Sequence, residues 1–562
     1  MSKTAIPLLL STLAPVTAAH AALPPDFVVD QIGDSADAAP GDGLCLDEMG
    51  RCSLRAAVQE ANALGGAWVI DLMPGAVHTL SIAGAGEDAA ETGDIDVTAN
   101  LRLQGFGATL DAAALDRALD VQPGGALFLQ DLDVVGGAVH TASGGAIRNA
   151  GDLRLMDCAV RGSSAVGAGA SGGGIFNDRG FLQLTRTVIS GNSAERAGGG
   201  IEANEGTTLL LVAELLDNTT GPGPGNGGGL HLTGPGDVQV GYSTVSGNTA
   251  SREGGGMWNS STGTMSVFHS QITDNAANGA AADDGGGGLF NDGGALVVTD
   301  SAVERNTATT GSGSGGGLFN LNGDLYLWRV TVSGNTASRA GGGVEANAGT
   351  TTLLESFLTD NMTGPSPGNG GGLHLTGAGD VHLERVRVIG NVASAEGGGV
   401  WSSSTGTMTL NMVYVAQNRA SGALSDQGGG GVFNDGGTMV IEGSQIVRNV
   451  ADGAAGSGGG VFNALGDLHV TRTTIARNTA VRAGGGVEAL QGRTSLDRVQ
   501  LNGNTAGSAP GNGGGLHLTG QGTVEVSGSW FTSNAATAEG GGLWCSSTGA
   551  MTVVQTSFRS NT

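Results

Sequence analysis

The chain has 562 residues, 106 of them glycine and 13 proline, with 51 acidic against 25 basic side chains and a net charge of −26. Glycine in that amount without a Gly-X-Y period excludes collagen, and recurring aliphatic residues exclude a disordered chain. The negative charge repels phosphate backbones and excludes nucleic acid as a partner.

In chain order, residues 1–21 read as an export signal: Lys3 is the basic start, an apolar run begins at Ile6, and Ala19-His20-Ala21 offers small residues for cleavage. No later stretch is apolar for the roughly 20 residues a membrane helix needs. The expected location is secreted or extracellular, with the outer-membrane surface as the alternative. Residues 22–92 are expected to form an N-terminal cap, with a disulfide between Cys45 and Cys52 in the oxidising exterior. Cys158 and Cys545 read as lone thiols. Ser53 is a good N-cap for a short helix over 54–63.

Residues 93–562 are governed by a repeat. Runs of glycine followed by an aliphatic residue start at Gly172, Gly198, Gly227, Gly254, Gly285, Gly315 and onward to Gly540. Their spacing, about 30 residues, falls within the range of solenoid repeats. A second, fivefold longer period lies above the first: GGGIFN at Gly172 returns as GGGLFN at Gly315 and GGGVFN at Gly458. Super-repeats therefore begin near 172, 315 and 458, the last incomplete. Within 315–337, Leu318, Leu325, Leu327, Val330 and Val332 alternate with polar or variable residues, which means strands rather than helix. Three short strands and three Gly/Asn/Ser turns make one coil, and coils stack in parallel about 4.8 Å apart. The predicted fold is all-β, a right-handed parallel β-helix of about 15–17 rungs with one short helix in the cap. The glycine runs are expected at tight corners needing positive φ or close approach between layers.

Each repeat ends in a hydrophobic-x-x-Asn motif, at Asn192, Asn218, Asn248, Asn275, Asn306, Asn335, Asn361, Asn391, Asn418, Asn449, Asn478, Asn504, Asn534 and Asn561, with Ser163 in the first rung. One asparagine per rung at a fixed phase suits a buried ladder of stacked amides. The alternative is a row of exposed turn residues tolerating left-handed φ.

The residue after each glycine-aliphatic step forms a second column: Arg148, then Phe176, Glu202, His231, Trp258, Phe290, then Phe319, Glu345, His374, Trp401, Phe433, then Phe462, Glu488, His517, Trp544. Period two turns it away from the core. It reads either as a stripe for sugar or protein surfaces or as simple stacking of like residues on neighbouring rungs. A carboxylate rung beneath each histidine gives mild pH sensitivity.

The segment CLDEMGRCSLRAAVQEANA at 45–63, followed by GDIDV at 93–97 and LRLQGFGATLDA at 101–112, resembles the CSLREA-type N-terminal region found ahead of bacterial β-helix repeats. In that family a glutamate at the third helical position completes a capping box; here the position is Ala56, so the box is half-made. The GGAI of 144–147 and the FxxN of 531–534 and 558–561 are similar to the repeats of polymorphic outer-membrane proteins, within the pectin-lyase-like superfamily. That resemblance implies an extracellular or outer-membrane location and no defined reaction; the C-terminal barrel of that family is not seen here.

The functional expectation is a non-catalytic surface protein binding a carbohydrate or another protein. The alternative is a polysaccharide lyase or hydrolase of pectin-lyase-like fold. Candidate acids Asp283 and Asp292 recur one super-repeat later as Asp426 and Asp435, and Gln427 replaces Asp284. A catalytic site is normally singular, whereas duplicated positions behave as scaffold. No cofactor or metal centre is expected, beyond weak calcium binding near Asp283 and Asp284. Thr562 falls inside a rung, and an uncapped edge there is expected to allow end-to-end association.

Overall fold

The computed structural model describes residues 23–562; the predicted export signal lies outside the described residues. The chain winds as a right-handed parallel solenoid of about seventeen turns, with one short helix near its start. The rung beginning at Gly315 shows the plan. Its strands are Leu318–Asn320, Asp324–Trp328, Thr331–Ser333 and Thr336–Ala337. Each pairs in parallel with the next rung: Leu318 with Val344, Asp324 with Thr350, Thr331 with Phe357, Thr336 with Met362. The first strand builds one face, the middle two a second, bent face, and the two-residue strand a third. The sequence pattern predicts three strands. The fourth, Thr336–Ala337, follows Asn335, whose side chain turns inward, and is too short to leave a period of its own.

Leu318, Leu325, Leu327, Val330 and Val332 are buried, and their equivalents on successive rungs form one continuous core. Two corners of the rung take left-handed backbone, at Arg329 (φ 52°) and Gly334 (φ 62°). The glycine run needs glycine for two reasons. Gly315 has φ 64°. Gly316 and Gly317 are not left-handed, but a Cβ on either would lie 2.5 Å from the Gly342 carbonyl oxygen or 2.7 Å from that of Gly343.

The hydrophobic-x-x-Asn residues stand in one file. From Asn192 to Asn534 they are at most 1% exposed, and Asn561 is half-buried. The Asn335 Oδ1 accepts from the backbone N–H of Asn306 at 2.8 Å and from its Nδ2 at 3.1 Å. The Asn335 Nδ2 donates to the Val303 carbonyl and to the Asn361 Oδ1, both at 2.9 Å. Burial is tolerated because both donor hydrogens and the acceptor are used. A second, interrupted amide file lies on the first face: Asn259 donates to Asn291, Asn291 to Asn320, and Asn320 to the Thr351 hydroxyl, at 2.8–3.0 Å.

Helix α1 spans Leu54–Leu64 over the first rungs. The Ser53 Oγ accepts from the Ala56 N–H at 3.0 Å, and the Gly65 N–H closes the other end on the Ala61 carbonyl. Cys45 and Cys52 are joined by a disulfide; Cys158 and Cys545 are free. Arg55, 1% exposed, holds the cap together: it pairs with Asp34 at 2.6 Å and donates to the carbonyls of Ala90, Gly93 and Asp94.

Candidate functional site

The column that follows the glycine corner turns away from the core, but most of it does not meet solvent. Glu202, Glu345, Glu488, Phe290, Phe319, Phe433 and Phe462 are at most 2% exposed, and His231, His374 and His517 are 3–4% exposed. Only Phe176, Trp258, Trp401 and Trp544 are half-buried among these sequence-predicted binding residues and their neighbours. Of the two readings of this column, its burial fits stacking on neighbouring rungs better than an open stripe. Period two gives a direction relative to the core, not the presence of loops that come back over the column. Around Phe433 and Phe462 the cover includes Ala464 and Leu490.

Within the column the residues form a repeated constellation. His231 lies 3.2 Å through Nδ1 from the Glu202 Oε1, and the Thr233 hydroxyl donates to the same oxygen at 2.6 Å. His374 repeats this on Glu345 at 3.1 Å with Thr376, and His517 on Glu488 at 3.1 Å with Thr519. An arginine stands beyond each carboxylate, Arg196, Arg339 and Arg482, at 3.7–3.9 Å. Burial pushes the Glu202 carboxyl up, but His231, Thr233 and Arg196 together outweigh it and hold it below the ordinary range.

The imidazole of each histidine stacks on the tryptophan of the next rung. Ring centroids are 4.3 Å apart for His231 and Trp258, 4.2 Å for His374 and Trp401, and 4.4 Å for His517 and Trp544. The far face of Trp258 is approached by Phe290 at 6.2 Å, so the indole offers chiefly its edge. That edge is anchored: the indole Nε1–H donates to Glu253 at 3.1 Å, and likewise Trp401 to Glu396 at 3.0 Å and Trp544 to Glu539 at 2.8 Å. Burial pushes Glu253 up to about 7 despite Arg252 beside it, and pushes Glu396 up to about 7 against the indole hydrogen bond. Asp292 and Asp435 are also raised by burial, with His231 and His374 respectively opposing. The sequence carried a signal for the tryptophan anchors, since Glu-Gly-Gly-Gly-x-Trp occurs at 253, 396 and 539. One such cluster recurs every five rungs, about 24 Å along the axis.

Other acidic groups are already engaged. Asp284 is buried and paired with Arg252 at 2.7 Å, whereas Asp283 is exposed. Asp94, Asp96 and Asp120 bring carboxylate oxygens within 4.8 Å of one another in the first rungs. Burial raises Asp94 to about 7 and Asp96 to about 6. Arg117 bridges Asp94 at 2.9 Å and Asp120 at 3.2 Å, so the cluster carries its own counter-charge. Among the described residues no helix is long and apolar enough to cross a membrane.

Residues 361–562 match the family described as right handed beta helix region. No curated protein matches the chain in sequence. Among solved structures, the A-module of the mannuronan C-5 epimerase AlgE4 from Azotobacter vinelandii is similar at 11% identity over 95% of this chain and 97% of that one, with a TM-score of 0.18. A superposition that loose carries no argument about chemistry. With the winding described above, the family match establishes the architecture: the chain is a right-handed parallel β-helix.

Proposed function

We propose that this protein is an exported, surface-acting β-helix that holds an extended partner, a glycan chain or a protein surface, without transforming it. One observation carries the reading: the Glu–His–Trp–Glu constellation is built three times at five-rung intervals with nearly the same geometry. Three copies in line suit a partner that itself repeats or extends, because linked weak contacts multiply into avidity. Each copy joins a half-buried indole to a carboxylate through the indole N–H, an arrangement of polar groups beside an apolar rim that suits a hydroxyl-bearing partner. The CSLREA-like cap and the outer-membrane-protein-like repeats support secretion or display on the outer surface.

A second reading is a carbohydrate-active enzyme. It is favoured by a histidine oriented through Nδ1 on a carboxylate and linked across a stacked indole to a glutamate pushed up to about 7, groups suited to general acid–base catalysis. Incubating the pure protein with a panel of polysaccharides and cell-surface proteins separates the two. Saturable binding without new chain ends or altered sugars supports the scaffold, and turnover supports the enzyme. Replacing Trp258, Trp401 and Trp544 singly and together with Ala is expected to weaken binding stepwise, with the triple variant at least 10-fold weaker. Binding unchanged in a folded triple variant would refute this reading.

A further inference from the structure

An open cleft of about 610 Å³ lies away from the tryptophan column, on the second face of the first rungs. Arg102, Phe128, Arg154 and Gln183 stand at equivalent positions on four successive strands and form its floor, with Met156 and Thr185 beside them. The guanidinium of Arg102 lies over the Phe128 ring at 4.6 Å, and that of Arg154 over Phe181 at 5.1 Å. The two cations differ in their partners. Arg154 is held by Asp152 through two bonds of 2.9 Å. Arg102 donates through Nη2 to the neutral side chain of Gln130 and forms no ion pair.

In a chain with 51 acidic residues, what sets Arg102 apart is that it lacks an ion pair while half-buried. Among the described residues, the arginines outside ion pairs are Arg102, Arg161, Arg387, Arg448, Arg477 and Arg559, and all but Arg102 are exposed. Arg102 is half-buried, and its Nε–H is buried with no hydrogen-bond partner. Withdrawing a guanidinium from water without compensation costs stability, and burial pushes its pKa down accordingly. The cost is recovered when a planar anion meets the fork of donors that a guanidinium presents.

We propose that this cleft binds a carboxylate carried on a ring, the carboxylate on Arg102 and the ring against the apolar lining around Phe128 and Met156. Arg154, already neutralised, contributes a hydrogen-bonding wall rather than the primary charge. An aromatic acid and an acidic sugar share this chemistry, and the assignment is independent of the tryptophan column.

Titration calorimetry of the full chain with glucuronate, a short uronate oligomer, benzoate and glucose tests it. Glucuronate or benzoate is expected to bind at least 10-fold tighter than glucose, with affinity falling as salt rises. A preference for glucuronate and its oligomer identifies a sugar source, and a preference for benzoate an aromatic one. Arg102→Met is expected to abolish the discrimination, while Arg154→Met weakens it only a few-fold; the Trp-to-Ala triple variant leaves it intact. Equal binding of glucose and both acids by the unaltered protein, or full discrimination in a folded Arg102→Met variant, would overturn the proposal. The wild-type comparison decides even where Arg102→Met does not fold.

Discussion

In the cap and first rungs, buried charges are matched by opposite charges that occur once; along the repeats that follow, the buried asparagines are matched by copies of themselves. Arg55 is surrounded by Asp34 and three carbonyls, and Arg117 lies between Asp94 and Asp120. All of these side chains precede the super-repeats, which begin near residue 172. In the body, Asn335 is satisfied by Asn306 and Asn361, which occupy the same position one turn to either side. A pairing of opposites has to be specified residue by residue, whereas a self-complementary file is specified once and then duplicated. The first arrangement closes an end, and the second fills a length.

The comparison breaks most visibly at Arg55. Replacing it with Met strands a buried Asp34 carboxylate and frees three carbonyls, a loss of about 3–5 kcal/mol for a broken buried pair. Hydrogen exchange is expected to show residues 30–97 opening while the distal rungs remain protected; uniform loss of protection along the whole solenoid would contradict a division between cap and body. Asn335→Ala tests the body. It removes the acceptor for two donors of Asn306 and the donor for the Val303 carbonyl, each worth about 1–3 kcal/mol if left unsatisfied. A net destabilisation of about 3 kcal/mol is expected in chemical denaturation, with exchange accelerated in the rungs on either side. A change smaller than that of one ordinary hydrogen bond would mean the file is ornamental.

The smallest expected effect is on pH dependence. Glu253 and Glu396 are pushed up to about 7, so the folded state holds their protons more tightly than the unfolded chain does. Their contribution to stability is full below the unfolded carboxylate range and is lost as pH rises from about 4.5 to 7. Glu253→Gln with Glu396→Gln should therefore flatten the fall in Tm over that window, leaving Tm near pH 4.5 little changed and raising it at pH 8. An identical pH profile in the double variant would place the titration elsewhere, Asp94 and Asp96 being the next groups in order.

Much of the fold is written in the sequence because the sequence repeats itself. The rung length, the super-repeat and the phase of the asparagines are all properties of spacing, and stacking turns spacing directly into register. The half-made cap at Ser53 is equally local. The interrupted file through Asn259, Asn291 and Asn320 was within reach, since each ends a Gly-aliphatic-aromatic-Asn run, but its gaps conceal it. The site was less legible. The burial of Glu202 and His231 depends on corners that return from elsewhere in the rung, and no period in the strand records that. Arg102 shares its file with Arg154, and what sets it apart is that it lacks the carboxylate partner Arg154 has, which only the packed structure displays.

The amide file also bears on how the molecule meets force. Every link in it runs along the solenoid axis, parallel to the bonds that join one turn to the next. Tension applied between the two ends therefore loads the turns in series, and they separate in succession rather than all together. Each turn that yields releases about 30 residues, or about 100 Å of extended chain. A tether built this way lengthens in steps under load and dissipates work at each one, which suits a body fixed at one end and pulled at the other.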